Sequence, residues 1–446
     1  MLGAAFRAII IGYLFLQSAL VYPDDNSFFA ARREALMKRI EGSVAVLAGA
    51  ADTRAYASFR QDNNFYYLTG VETPNALLLI DGGKHKSILF LPPRNPDTER
   101  WEGPGLFAGP EARRETGIDE VLELSRFGDE LDKRKETLRI LYAPLSPGET
   151  AATSRDRALK HDSARQNDIW DGRISRQEAF DKSLQARLGA SVRIKDLSPI
   201  LDDMRRVKDA QEVDRLREAG RIGAKGLKEA IRSTRPGMYE FQLAALAQFI
   251  FSWRGAQGPA FFPIVGSGPN SCLLHYNKNG RKMAAVDVVV MDFGADYRYY
   301  QSDITRSFPV SGKFSEEQAR IYQVVLDAQK AALQRIRPGA TFASLGEAVR
   351  EVLGRHGYAD LLTHGVSHYV GMSTHDVGEA QPFEPGVVIT VEPGVYMPEK
   401  NLGIRIEDTV LVKKDGYEIL TGEVPKEIAE IEALMSGKGI DEAITD

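Results

Sequence analysis

The sequence predicts an α/β (α+β) architecture in which a smaller α/β domain precedes a larger one made of two related halves. Three observations predict it. Between about Asn26 and Arg126, helix-like and strand-like runs alternate, bounded by Gly and Pro. Further on, Arg235-Pro236-Gly237 and Arg337-Pro338-Gly339 each close a long helical pattern and are followed by a second one. After each repeat comes a nearly continuous apolar run that ends in a carboxylate, Asp292 or Glu392, the pattern of a strand covered on both faces.

Composition narrows the function classes. At about 150 residues per domain, 446 residues allow roughly three domains, and a large α/β core reduces the expectation to two. The net charge of −5, from 62 acidic and 57 basic residues, shows no basic patch and argues against a nucleic-acid partner. Cys272 is the only cysteine, which excludes an intrachain disulfide, a thiolate zinc cluster and a redox pair. Any metal must therefore be held by oxygen and imidazole.

Residues 1–22 carry Arg7 ahead of the apolar run from Ala8 to Leu16 and stop before Pro23-Asp24-Asp25. That run is shorter than the roughly 20 apolar residues of a spanning helix and fits a secretory segment, so no stable membrane span is expected. Gln17-Ser18-Ala19 makes a poor cleavage site. Export to a periplasmic or extracytoplasmic space and a cytoplasmic location stand as equal alternatives, with an early start codon or a short anchor also open.

In the first domain, Phe28 to Ile40 predicts an amphipathic helix, and Ser43–Leu47, Ala76–Ile80 and Ser87–Leu91 predict buried strands. The polar stretch from Thr150 to Lys182 predicts a connecting helix or linker, with the boundary near Leu197. Next come helices from Asp209 to Thr234 and from Ser315 to Ile336, the second opened by a capping box between Ser315 and Gln318. Arg-Pro-Gly is a common helix stop, so chance repetition is the alternative to an internal duplication.

The run from Val286 to Asp292 predicts a buried strand, Gly294-Ala295-Asp296 a turn, and Tyr299–Phe308 the returning strand. Such a hairpin sets Asp303 opposite Asp292, at a Cβ separation of about 5 Å. Two carboxylates that close repel each other without a cation, and a structural ion-paired or exposed hairpin pair is the competing reading. His364-Gly365-Val366-Ser367-His368 predicts extended chain, which places both histidines on one face, with His375 arriving beyond Gly371. His275 lies in another loop. Val387–Glu392 is the second apolar strand ending in a carboxylate, and alternation in Gly403–Glu407 puts Ile404 and Ile406 on one face and Arg405 with Glu407 on the other. Asp292, Asp303, His368, Glu392 and Glu407 together suit a pair of divalent cations.

These residues carry a family resemblance. Asn64–Gly70, Ile264–Gly268 through His275-Tyr276, Met291-Asp292 with Ser302–Arg306, His364–Gly378, Thr390–Tyr396 and Gly403–Asp408 follow the pattern of the creatinase/methionine-aminopeptidase superfamily. The chain resembles aminopeptidase P, the Xaa-Pro aminopeptidases, most closely. The resemblance implies a pita-bread catalytic domain of pseudo-two-fold symmetry at residues 197–436 and a creatinase-like α/β domain at 23–150. A linker at 151–196 and a tail at 437–446 complete the expected organisation.

The same resemblance implies two divalent metal ions, with Asp292 chelating one, Asp303 and Glu407 bridging both, and His368 and Glu392 completing the coordination of the second metal. An oxygen-rich set with one imidazole favours Mn(2+). It implies that Glu392 shuttles the proton, that His275 and His375 stabilise the tetrahedral oxyanion or leaving nitrogen, and that His364, Arg405 and Tyr396 bind substrate. The implied substrates are peptides with proline at position two, cleaved by a homo-oligomer, dimer or tetramer. A Xaa-Pro dipeptidase shares all five ligands and remains the alternative. A methionine aminopeptidase usually lacks the N-terminal domain, and a metal-free scaffold or creatinase-like amidinohydrolase typically loses ligands.

Overall fold

A computed structural model describes residues 25–53 and 56–440. The apolar segment expected at residues 1–22 lies outside them, as does most of the expected tail. The chain divides into two compact units: residues up to Gly148 with Ala158–Leu201, and Glu149–Arg157 with the chain from Asp202 onward.

The first unit holds a six-stranded mixed sheet. Its strands are β1 (Val44–Ala48), β2 (Leu77–Asp81), β3 (Lys86–Leu91), β4 (Glu120–Glu123), β5 (Ile140–Ala143) and β6 (Arg193–Asp196), in the order β4-β3-β2-β1-β5-β6. The three expected strands form its antiparallel middle, shifted by about one residue. All five residues of β2 are buried, as a strand covered on both faces requires of the apolar run Leu77–Ile80, and its last residue, Asp81, is ion-paired with Arg134. Helix α1 (Asp25–Arg39) realises the expected amphipathic helix. The motif Asn64–Gly70 forms helix α2 (Asn63–Thr69), opened by the Asp62 carboxylate accepting from Phe65 N at 2.9 Å and closed by Gly70 at φ 67°. A Cβ at Gly70 would stand 2.3 Å from the Phe29 ring, so both backbone sign and space demand glycine there.

The second unit is built twice. Helix α3 (Ala210–Ser233) packs on α4 (Glu240–Trp253), and α5 (Glu316–Leu333) on α6 (Phe342–Arg355). Asp209 and Ser315 cap α3 and α5, each with a capping box. The Arg-Pro-Gly repeats are structurally equivalent: Gly237 and Gly339 have φ of 93° and 88°. Their amides donate to Met283 O at 2.9 Å and Phe383 O at 2.8 Å, carbonyls at similar distances downstream. Chance repetition of a helix stop explains neither match, so the internal duplication is real.

In the first half, β7 (Ile264–Ser267), β8 (Val288–Asp292) and β11 (Thr305–Pro309) form an antiparallel sheet, with β9 (Ala295–Tyr297) and β10 (Tyr300–Gln301) closing the hairpin between β8 and β11. In the second, β12 (Val388–Val391) pairs with β15 (Asp408–Lys413), which pairs with β16 (Gly416–Ile419). A ribbon of β13 (Gly394–Met397) and β14 (Leu402–Arg405) stands beside them. One hydrophobic core runs through both halves, from Ile222 and Phe251 through Met291 and Phe308 to Ile389, Ile404 and Ile406.

Two local expectations are corrected. Val286 is 80% exposed and precedes the strand, which begins at Val288. The hairpin turns not at Gly294 but at Arg298-Tyr299, whose φ values of 49° and 71° are those of a two-residue hairpin turn. Gly294 lies between β8 and β9 instead. A Cβ there would sit 1.7 Å from Ser302 O, so the glycine permits close cross-strand approach.

Candidate active site and metal centre

The corrected hairpin changes how the first two carboxylates meet. Asp292 pairs with Thr305, and the same register continues to Asp296 against Gln301, so Asp303 stands diagonally from Asp292 on the same face rather than opposite it. Thr409 of β15 clamps the Asp303 backbone from the other half, donating to its carbonyl at 2.7 Å and accepting from its amide at 3.0 Å. Glu407 N donates to Thr305 O at 3.0 Å, and Ser307 exchanges hydrogen bonds of 2.9 Å with the Arg405 backbone. The two halves are thus stitched together where the carboxylates emerge.

A cavity of about 320 Å³ opens there. It is lined by Asp292, Asp303, His368, Glu392 and Glu407, and also by His275, His364, His375 and Arg405. Every site residue expected from sequence lies on this wall except Tyr396. That buried side chain acts from behind the wall, between His364 and Arg405.

Hydrogen bonds assign the imidazole roles. His368 Nδ1 lies 3.0 Å from Tyr369 O, and a carbonyl only accepts, so Nδ1 carries the proton. Nε2 then presents its lone pair toward Glu392, 3.5 Å away, and Asp303, 3.6 Å away. His364 Nδ1 likewise donates to Gly365 O at 2.7 Å, while its Nε2 accepts from the Tyr396 hydroxyl at 2.8 Å. Both its nitrogens are thereby engaged on the cavity wall. Tyr396 accepts from Arg405 at 3.0 Å, and Arg405 donates to Asp292 at 2.7 Å. His375 stacks on His368 with centroids 3.9 Å apart.

The electrostatics are those of a crowded anionic cluster. Burial, then the neighbouring carboxylates, raises Asp303 and Glu407 well above the usual range, and burial pushes Glu392 up to about 8. Burial lowers His368 and His364 to about 4, and the adjacent His368, followed by burial, lowers His375 to about 3. Among the described residues, Arg405 is the guanidinium in contact with these four carboxylates, through Asp292. Asp292 Oδ1 and Asp303 Oδ1 are buried with no hydrogen-bond donor among the described residues. Asp303, His368 and Glu407 offer ligand atoms within 4.8 Å of one another, with Glu392 beside His368 and Asp292 held by Arg405. Orphaned anionic oxygens around an imidazole lone pair are what a divalent cation satisfies, so these residues fit one.

Sequence reasoning gave no role in the site to Thr305 or to residues 149–157, most of which it read as linker. Thr305 Oγ1 donates to Glu407 Oε2 at 2.5 Å and accepts from Arg405 Nε at 3.2 Å. The second group supplies Ala152 and Arg157 to the cavity. Only the position of Thr305 two residues after Asp303, on the same strand face, was a readable signal.

The duplicated fold and the carboxylate–imidazole centre define a metallopeptidase. Residues 214–414 match the model of metallopeptidase family M24, and residues 29–142 match that of the aminopeptidase P N-terminal domain. The chain is 34% identical to the Xaa-Pro aminopeptidase of Escherichia coli (strain K12), over 91% of its own length and 97% of that protein. A structure of a putative aminopeptidase P from Bacillus anthracis superposes with a TM-score of 0.83 at 30% identity, covering 93% of this chain and 99% of that one. Zinc-substituted E. coli aminopeptidase P in complex with product gives 0.78 at 33%, covering 92% and 98%. The chain belongs to the aminopeptidase P group of metallopeptidase family M24. It is a metallo-aminopeptidase of that pita-bread family, a class that works with divalent metal ions. No helix among the described residues is long and apolar enough to cross a membrane.

Proposed function

We propose that the chain is a two-metal Xaa-Pro aminopeptidase that releases the first residue of peptides with proline in second position. The convergence of Asp292, Asp303, His368, Glu392 and Glu407 from both halves on one cavity carries this reading. Those five residues would hold two divalent cations. Mn(2+) is the metal best suited to four carboxylate ligands and one imidazole nitrogen. Bound divalent cations would polarise the scissile carbonyl and acidify a water to near-neutral pH.

The remaining steps belong to the protein. Glu392 sits beside the His368 lone pair, placed to take a proton from the attacking water and return it to the leaving nitrogen. His275 and His375 are held neutral at pH 7, His275 by burial. Each therefore donates an N–H to a developing oxyanion without adding charge to the cavity. The Arg405–Tyr396–His364 chain fixes the His364 ring against the substrate and orients Asp292. Residues 23–150 form the N-terminal domain in this reading, 151–196 the connection and 197–436 the catalytic domain, in a homodimer or homotetramer.

The dipeptidase reading is weaker, because the proteins named above are aminopeptidases. Paired Xaa-Pro and Xaa-Pro-Xaa substrates, assayed with defined metals, test the choice. The tripeptide should be the better substrate; hydrolysis confined to the dipeptide would establish the dipeptidase instead.

A further inference from the structure

Residues 149–157 belong to the catalytic unit and are anchored to it by buried charge. Glu149 pairs with Arg205, whose other nitrogen donates to Asp376 at 2.6 Å, and Lys208 donates to the same carboxylate at 3.1 Å. All four side chains are at most 1% exposed. Thr374 N donates to Ala151 O at 2.9 Å, which ties the segment to the loop carrying His375. Arg155 forks onto Asp202. Ser154 Oγ accepts from Arg157 N at 3.4 Å, at the start of the helix Arg155–Gln166.

This anchoring delivers Arg157 to the cavity wall. Arg157 is exposed, and its guanidinium has no carboxylate partner among the described residues. Arg405, the other guanidinium on the wall, is spent on Asp292 and Tyr396. Arg157 shares this wall with His275 and His375, the histidines assigned above to the developing oxyanion, and its charge is felt at both. An unpaired guanidinium on a rigid mount, facing a peptide cavity, is a carboxylate receptor. We infer that Arg157 is a specificity-determining residue that binds a carboxylate on the leaving part of the peptide. This rests on the Xaa-Pro aminopeptidase reading. The carboxylate has two sources, the C-terminus of a tripeptide or an acidic side chain following proline.

The test uses the full chain loaded with Mn(2+) and two matched pairs: an Xaa-Pro-Leu acid against its amide, and Xaa-Pro-Glu-Leu-amide against Xaa-Pro-Gln-Leu-amide. At a partly hydrated site, a charge-assisted contact should favour the carboxylate member about tenfold in kcat/KM, carried by KM rather than kcat. Arg157→Ala should bring the ratio to about one, Arg157→Lys should keep part of it, and Arg157→Glu should invert it. Preference within the first pair alone identifies the chain terminus, and within the second alone the side chain. A wild-type ratio near one in both pairs, or a preference that survives Arg157→Ala, would overturn the inference while leaving the aminopeptidase reading intact. Turnover of none of the four peptides would overturn both.

Discussion

Thr305→Val isolates a single hydroxyl beneath the metal centre. Valine keeps the volume and branching of threonine on buried β11, so packing changes little. What disappears is the 2.5 Å donor to Glu407 Oε2 and the acceptor for Arg405 Nε at 3.2 Å. Glu407 must be ionised to hold a cation, yet burial and neighbouring carboxylates already oppose ionisation, and the Thr305 hydroxyl is among the few groups that favour it. A hydrogen bond to a charged group contributes about 1.5–3 kcal/mol net, which corresponds to roughly a 10- to 100-fold loss of affinity. Calorimetric titration of the chelator-stripped protein with Mn(2+) reads this directly, and Thr305→Ser should restore most of the affinity. Unchanged affinity in the valine variant, or an equal loss in the serine variant, would refute the reasoning.

Three other perturbations probe fold and charge. Gly294→Ala drives a Cβ into Ser302 O and should destabilise the catalytic unit by about 3 kcal/mol or more in urea denaturation, in contrast to Gly354→Ala, where a Cβ meets nothing within 4 Å. Asp376→Asn leaves buried Arg205 and Lys208 facing a neutral amide and should cost about 3–5 kcal/mol, measured the same way. Asp181 is pushed up to about 6, first by burial. Its folded pKa therefore exceeds its unfolded one, so ionisation erodes stability as pH rises from about 4 to 6, and the loss persists above that range. Asp181→Asn should then stabilise the first unit by about 1–2 kcal/mol at pH 7, discounted for partial exposure, and by almost nothing at pH 3.5 in thermal melts.

The sequence carried the site further than it carried the local fold. Asp292 and Glu392 were legible because a carboxylate ending a fully apolar run is costly without a purpose, and alternation placed Arg405 and Glu407 correctly on one face. The hairpin was misread because Gly294 was taken for a turn residue, whereas it serves close strand contact. The true turn uses Arg298 and Tyr299 at positive φ, a conformation that neither residue type advertises. Arg157 gave no local signal of role, and Thr305 only its place two residues after Asp303 on the same strand face. Their functions depend on contacts with Glu407, Arg405 and the cavity that only the assembled halves create.

The most direct measurement compares N-terminal residue release from an Xaa-Pro-Xaa peptide and its Xaa-Ala-Xaa counterpart by the Mn(2+)-loaded protein and its Glu407→Ala variant. The account predicts cleavage of the proline peptide with strong preference over the alanine one, and no detectable release by the variant. Equal cleavage of the two peptides, or turnover preserved without Glu407, would contradict it.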